Sequence, residues 1–212
     1  MNSWEMFERA LLRSGSERIE LLNDAETALG WPTEASDIEV DVLRASIASV
    51  LAGDGQVAPE SARDLVVSVS SRQGSSGWPG FYLAEAGNQL GRNDIVLDAV
   101  SSVSPGFFEA RDLKWRSARC DELRAVALIR SGAEWKTVVE VVTRLVSAFA
   151  NFGESDDFAP PSDLVHALLE GPPEAIELLN QLALSIDLDL WFGAEIAARV
   201  EEVLGRRMES GD

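Results

Sequence analysis

The run Trp135 to Phe152, WKTVVEVVTRLVSAFANF, constrains the fold more than any other stretch of the chain. Its apolar residues fall at Trp135, Val138, Val139, Val142, Leu145, Val146, Phe149 and Phe152, the period of a helix with one wide apolar face. Lys136, Thr137, Glu140, Thr143, Arg144, Ser147 and Asn151 take the opposite face, with Val141 at the boundary. The valines raise the alternative of a strand. Strict alternation fails at Val138–Val139 and Val141–Val142, and the run exceeds the length of an ordinary strand. A helix this long spans roughly 27 Å at about 1.5 Å per residue, enough to cross a small domain. The stretch is expected to be the central helix of a helical protein.

Ser3 is expected to cap a first helix, with Trp4, Phe7, Leu11 and Leu12 on its apolar side. Ser16 is expected to cap a second, closed by Gly30 before Trp31–Pro32. Ser36-Asp37-Ile38-Glu39 reads as an S-x-x-E capping box opening a helix through Ala52. Pro59 suits the first turn of a short helix, although LVVSVSS within it also reads as a strand. Arg72 to Gly80, RQGSSGWPG, is the clearest loop and a candidate hinge. It is the expected boundary between an N-terminal helical subdomain, 1–73, and a C-terminal one, 81–212.

Beyond it, Phe81–Leu90 and Asp94–Val103 read as a helix pair about Gly91, and Phe107–Arg130 as one long charged helix. After the central helix come an acidic loop over 153–162 and helices over 163–169, 174–186 and 188–207. The expected fold is all-α, with about ten helices in antiparallel pairs stacked as an irregular, helical-repeat-like bundle. Gly91, Gly132 and Gly171 punctuate the pairs about 40 residues apart. The segments LAEAGNQLGRNDIVLDAV and ALIRSGAEWKTVVEVV resemble the helix–glycine–helix grammar of a tetratricopeptide unit, and the period is also similar to HEAT repeats. The fixed large and small positions of those families are absent. The resemblance implies stacked helix pairs with a concave binding surface.

The chain carries 36 acidic against 18 basic residues, a net charge of -18. Such a field repels nucleic acid and anionic membrane and steers basic partners in. The charge is also polarised along the chain. No Lys or Arg lies between Arg144 and Arg199, an interval that includes Glu154, Asp156, Asp157, Asp163, Glu170, Glu174 and Glu177. Arg111, Lys114, Arg116, Arg119, Arg124 and Arg130 crowd into one segment, interleaved with acids that intrahelical ion pairs account for. The N-terminus has charges where a signal peptide needs apolar residues, and no apolar run is long enough for a membrane span. A cytoplasmic protein is expected.

Chemistry-bearing motifs are few. Cys120 is the single cysteine and His166 the single histidine, which argues against disulfides and against multi-histidine or cysteine metal sites within the chain. Asp163, His166 and Glu170 can share one helix face, but a solvated face is the simpler account than a general base. Cys120 reads as a structural thiol. Asp156–Asp157 lacks the ligand spacing of a calcium loop, and GSSGWPG lacks the P-loop lysine. No metal, no cofactor and no catalytic residue is expected. Trp31 and Trp78, each before a proline, are candidate contact anchors.

The favoured expectation is a non-enzymatic, acidic protein-binding module. It would dock a basic protein partner through Glu154, Asp156, Asp157, Asp163, Glu170, Glu174 and Glu177, with Trp31 and Trp78 as anchors. An immunity or antitoxin protein that neutralises a basic toxin is a natural instance. The alternatives are a helical-repeat adaptor holding a peptide in a concave groove, and an enzyme or small-ligand protein built around His166 and Asp163.

Overall fold

The computed structural model describes residues 2–30, 37–72, 77–149, 162–185 and 194–209. Among these residues the chain is all-α, with eleven α-helices and one short 3-10 turn. No described helix is long and apolar enough to cross a membrane. The chain divides into two compact units, Met1–Pro105 and Gly106–Asp212. The 72–80 segment, the boundary expected from sequence, therefore falls inside the first unit, where helices on either side of it pack together.

The first unit contains α1 (Ser3–Leu11), α2 (Gly15–Leu29), α3 (Ile38–Gly53), α4 (Pro59–Ser70), α5 (Trp78–Gln89) and α6 (Asn93–Ser102). α1 pairs with α2, α3 with α4 and α5 with α6, and α3 also packs along α5. α3 is the centre of this unit. Val42, Leu43, Ala45, Ile47 and Val50 leave no apolar side of it exposed. A helix apolar nearly all round must be enclosed on every side. Its buried polar groups are satisfied: Ser46 donates to the Val42 carbonyl at 2.8 Å, and the Ser49 hydroxyl lies 2.8 Å from Gln89 Oε1.

Several starts differ from the expected ones by one or two residues. Asn2, not Ser3, caps α1, in a reciprocal capping box with Glu5. Asp37, one residue inside the S-x-x-E motif, caps α3 by accepting from the Glu39 N–H at 3.1 Å. LVVSVSS is helical through Ser70, because Ala62, Val66 and Val69 make a buried stripe at helical spacing. Gly91 turns α5 into α6 at φ 66°, with open space where a Cβ would sit. The Gly91→Ala variant should thus pay only the left-handed backbone cost, about 1 kcal/mol, read as a lowered denaturation midpoint.

The second unit opens on a 3-10 turn, Glu109–Arg111, followed by α7 (Lys114–Arg130), α8 (Trp135–Phe149), α9 (Ser162–Leu169), α10 (Ala175–Ser185) and α11 (Ala194–Glu209). The single long helix expected from Phe107 is interrupted. Asp112 adopts a left-handed φ of 58°, and Phe108 turns fully into the core. Aspartate tolerates this conformation better than most residues. α8, expected as the central helix of the protein, is a core helix of this unit alone: it packs on α7 and α10, and Val138, Val142 and Leu145 are fully buried in a cluster that also takes in residues of α9 and Val200 of α11. Lys136, Glu140, Thr143, Arg144 and Ser147 face solvent. The buried face is rotated slightly, so Val141 is buried and Val139 only partly.

Candidate functional site

The pocket in the first unit is built from the opening turns of three helices. The capping box at Asn2 fixes the start of α1, which places Trp4 one turn before Glu8 on the same face. Asp37 fixes the start of α3 and with it Glu39. The third start depends on Gly77, whose φ of 63° and ψ of -122° form a backbone state that glycine adopts readily and other residues do not. Trp78 and Pro79 then occupy the first two helical positions, where proline loses nothing by lacking an N–H. Tyr82 follows Trp78 by four residues and lies on the same face.

These residues line an open pocket of about 290 Å³: Trp4, Glu8, Glu39, Trp78, Pro79 and Tyr82. Tyr82 is buried and the two tryptophans half-buried, so the tyrosine forms the base and the indoles the walls. Trp4 lies 4.8 Å from Tyr82 between ring centroids, tilted by 42°. Trp78 stacks on Tyr82 at 6.0 Å and 17°. Phe7 and Phe81 pack edge-on against the same tyrosine at 5.8 and 5.2 Å, holding the ring in place from below. The volume is at the small end for a ligand pocket, which suits one side-chain head group better than an extended ligand. Aromatic faces attract cations, and the Glu8 and Glu39 carboxylates add negative charge at the same cavity.

No protein-family model, curated protein or solved structure matches the chain.

Of the residues singled out in the sequence, Trp78 is part of this pocket, though it opens a helix and does not lie in a loop. Trp31, Glu154, Asp156 and Asp157 lie outside the described residues, as do 73–76 of the candidate hinge. Glu170, Glu174 and Glu177 are exposed around the α9–α10 connection. Asp163 is not a solvated acid of that face: Arg119 Nη2 binds it at 2.8 Å. His166 and Cys120 are each partly buried, on α9 and α7. Nothing in the sequence alone groups Trp4, Glu8, Glu39, Pro79 and Tyr82 as a site. The available signal was the pair of i,i+4 steps, Trp4–Glu8 and Trp78–Tyr82, each beginning at a helix start.

A second constellation lies inside the other unit. Glu122 of α7 is only 2% exposed. It accepts from Arg119 Nη1 at 2.6 Å and from the Leu164 backbone N–H at 3.2 Å, so α7 supplies a cap to the first turn of α9. Burial raises the Glu122 pKa to about 7, against the opposing pull of the Arg119 guanidinium and the Leu164 N–H, and Asp163 raises it further. Arg119 bridges both carboxylates, so this cluster serves to join helices.

Proposed function

We propose that the chain is a non-enzymatic docking module for a basic protein partner. The observation that carries this reading is the pocket of Trp4, Trp78 and Tyr82 with Glu8 and Glu39 on its lining, in a chain of net charge -18. A cationic side chain of the partner enters the pocket, where contact with ring faces contributes from about 0.5 to 2 kcal/mol depending on desolvation. The overall field speeds encounter, and the exposed Glu170, Glu174 and Glu177 add to it. An immunity or antitoxin protein that neutralises a basic toxin is the natural instance of such a module. There, carboxylates and aromatic walls cover a surface that would otherwise hold phosphate groups.

The test is capture of a partner from native lysate at low salt by the wild-type chain and by Trp78→Ala, with affinities then measured on the purified pair. The expected result is a basic protein whose affinity falls at least about tenfold in the variant, as for an anchor residue at an interface centre. Its affinity should also fall as salt is raised, because steering between exposed charges is screened. A partner that ignores both changes would favour the adaptor reading.

A further inference from the structure

We infer that seating α9 on α7 takes up a proton from solvent at Glu122, so that α9 is released as pH rises through neutrality. This device lies in the second unit and does not depend on the pocket of the first. Glu122 and Arg119 are three residues apart on α7, so their contact at 2.6 Å is available with or without α9. α9 brings a second carboxylate, Asp163, which takes Arg119 Nη2 at 2.8 Å. One guanidinium then serves two carboxylates. α9 also brings the Leu164 N–H, 3.2 Å from Glu122 Oε1, and with α9 seated Glu122 is only 2% exposed.

Burial and the Asp163 carboxylate disfavour an ionised Glu122, and the Leu164 N–H favours it. Burial is the largest of these effects and holds the Glu122 carboxyl at a pKa of about 7 while α9 is in place. Release of α9 removes Asp163 and returns Glu122 to water beside Arg119, so the proton leaves to solvent. The charged residues of α8 described here, Lys136, Glu140 and Arg144, face solvent, as do Glu170 of α9 and Glu177 of α10. His166, one turn beyond Asp163, is the remaining ionisable side chain of α9 and is partly buried. α9 is 8 residues long, too short to hold a helix unaided, and it depends on its packing against α7 and α10. Its release uncovers Leu164, Val165 and Leu168 together with Glu122.

The experiment measures amide hydrogen exchange across the whole ¹⁵N-labelled chain at about pH 5.5 and about pH 7.5, each rate divided by the unstructured rate at that pH. One released proton raises the opening constant by at most about tenfold per pH unit. The expected result is a loss of protection of about tenfold or more at the α9 amides, Leu164 included, against less than about threefold at Val142 and Leu145 of α8. Glu122→Gln keeps an oxygen for the Leu164 N–H but does not titrate, and there the α9 loss should shrink to less than about threefold. Unchanged protection of α9 in the wild-type chain would overturn the inference. An equal loss in Glu122→Gln would overturn it by assigning the pH dependence to another group, such as His166. An equal loss at α8 would overturn it because the unit would then open as a whole. The carboxyl ¹³C shift of Glu122 in the wild-type chain needs no variant, and its titration in the ordinary carboxylate range would overturn the proton uptake itself.

Discussion

Leu145→Ala is expected to destabilise the second unit by about 3 kcal/mol, within the range of roughly 2–5 kcal/mol for truncating a fully buried leucine. Leu145 has no exposed surface and sits in the cluster that joins α8 to α7, α9 and α10. Truncation removes the transfer energy of the deleted methyls and leaves a cavity. The rigid helices around it close that cavity only in part. Replacing the exposed Thr143 or Ser147 on the other face of α8 by alanine should stay within about 0.5 kcal/mol. Chemical denaturation of the three variants checks the contrast. Equal effects on both faces would contradict the burial of the Val138–Val142–Leu145 face of α8.

Glu122 gives the second large effect, and it depends on pH. Its folded pKa of about 7 lies above its ordinary value of 4.5, so between those values the folded state holds a proton that the unfolded chain has released. The contribution of this group to stability is therefore fully present below about pH 4.5. It is lost as pH rises through 7, and is level above that. The whole swing is on the order of 3 kcal/mol. Glu122→Gln cannot titrate, yet keeps an oxygen to accept from the Leu164 N–H. The stability of wild type relative to this variant should fall by that amount between pH 4.5 and 8, which isolates Glu122 from the other carboxylates. A pH-independent difference would contradict the burial assigned to this carboxylate.

Helix periodicity was the most legible part of this chain. The buried face of α8 follows directly from valines and leucines at steps of three and four, and no tertiary information alters it beyond the small rotation onto Val141. Gly30 and Gly91 mark turns for the simple reason that both backbones have positive φ. The sequence was least legible where one signal serves two structures. Gly77-Trp78-Pro79-Gly80 has the composition of a loop, but a glycine of positive φ followed by proline in the first turn is also how a helix begins. The α7 segment looked like an unbroken helix because its apolar spacing carries across Asp112, whose left-handed turn has no signature beyond a residue type that tolerates it.

The candidate site was less legible for a related reason. Acidic density along the chain marks where charge is, and says nothing of which carboxylates remain exposed once the chain folds. Asp163 belongs to the acidic stretch by position and to Arg119 by contact. Trp4, Glu39 and Tyr82 come from helices far apart in the chain, and only the packing of α3 on α5 and the fixed starts of α1, α3 and α5 bring them to one cavity. No local pattern encodes that convergence.

The central claim is that the partner is anchored at this cavity. Zero-length carbodiimide cross-linking of the captured complex, mapped by mass spectrometry, tests it most directly, because it joins carboxylates only to amines in contact with them. We predict cross-links from Glu8 and Glu39 to partner amines flanking the seated side chain, lost in the Trp78→Ala variant. Cross-links confined to Glu170, Glu174 and Glu177, unchanged in that variant, would contradict the account and place the docking surface at the α9–α10 connection.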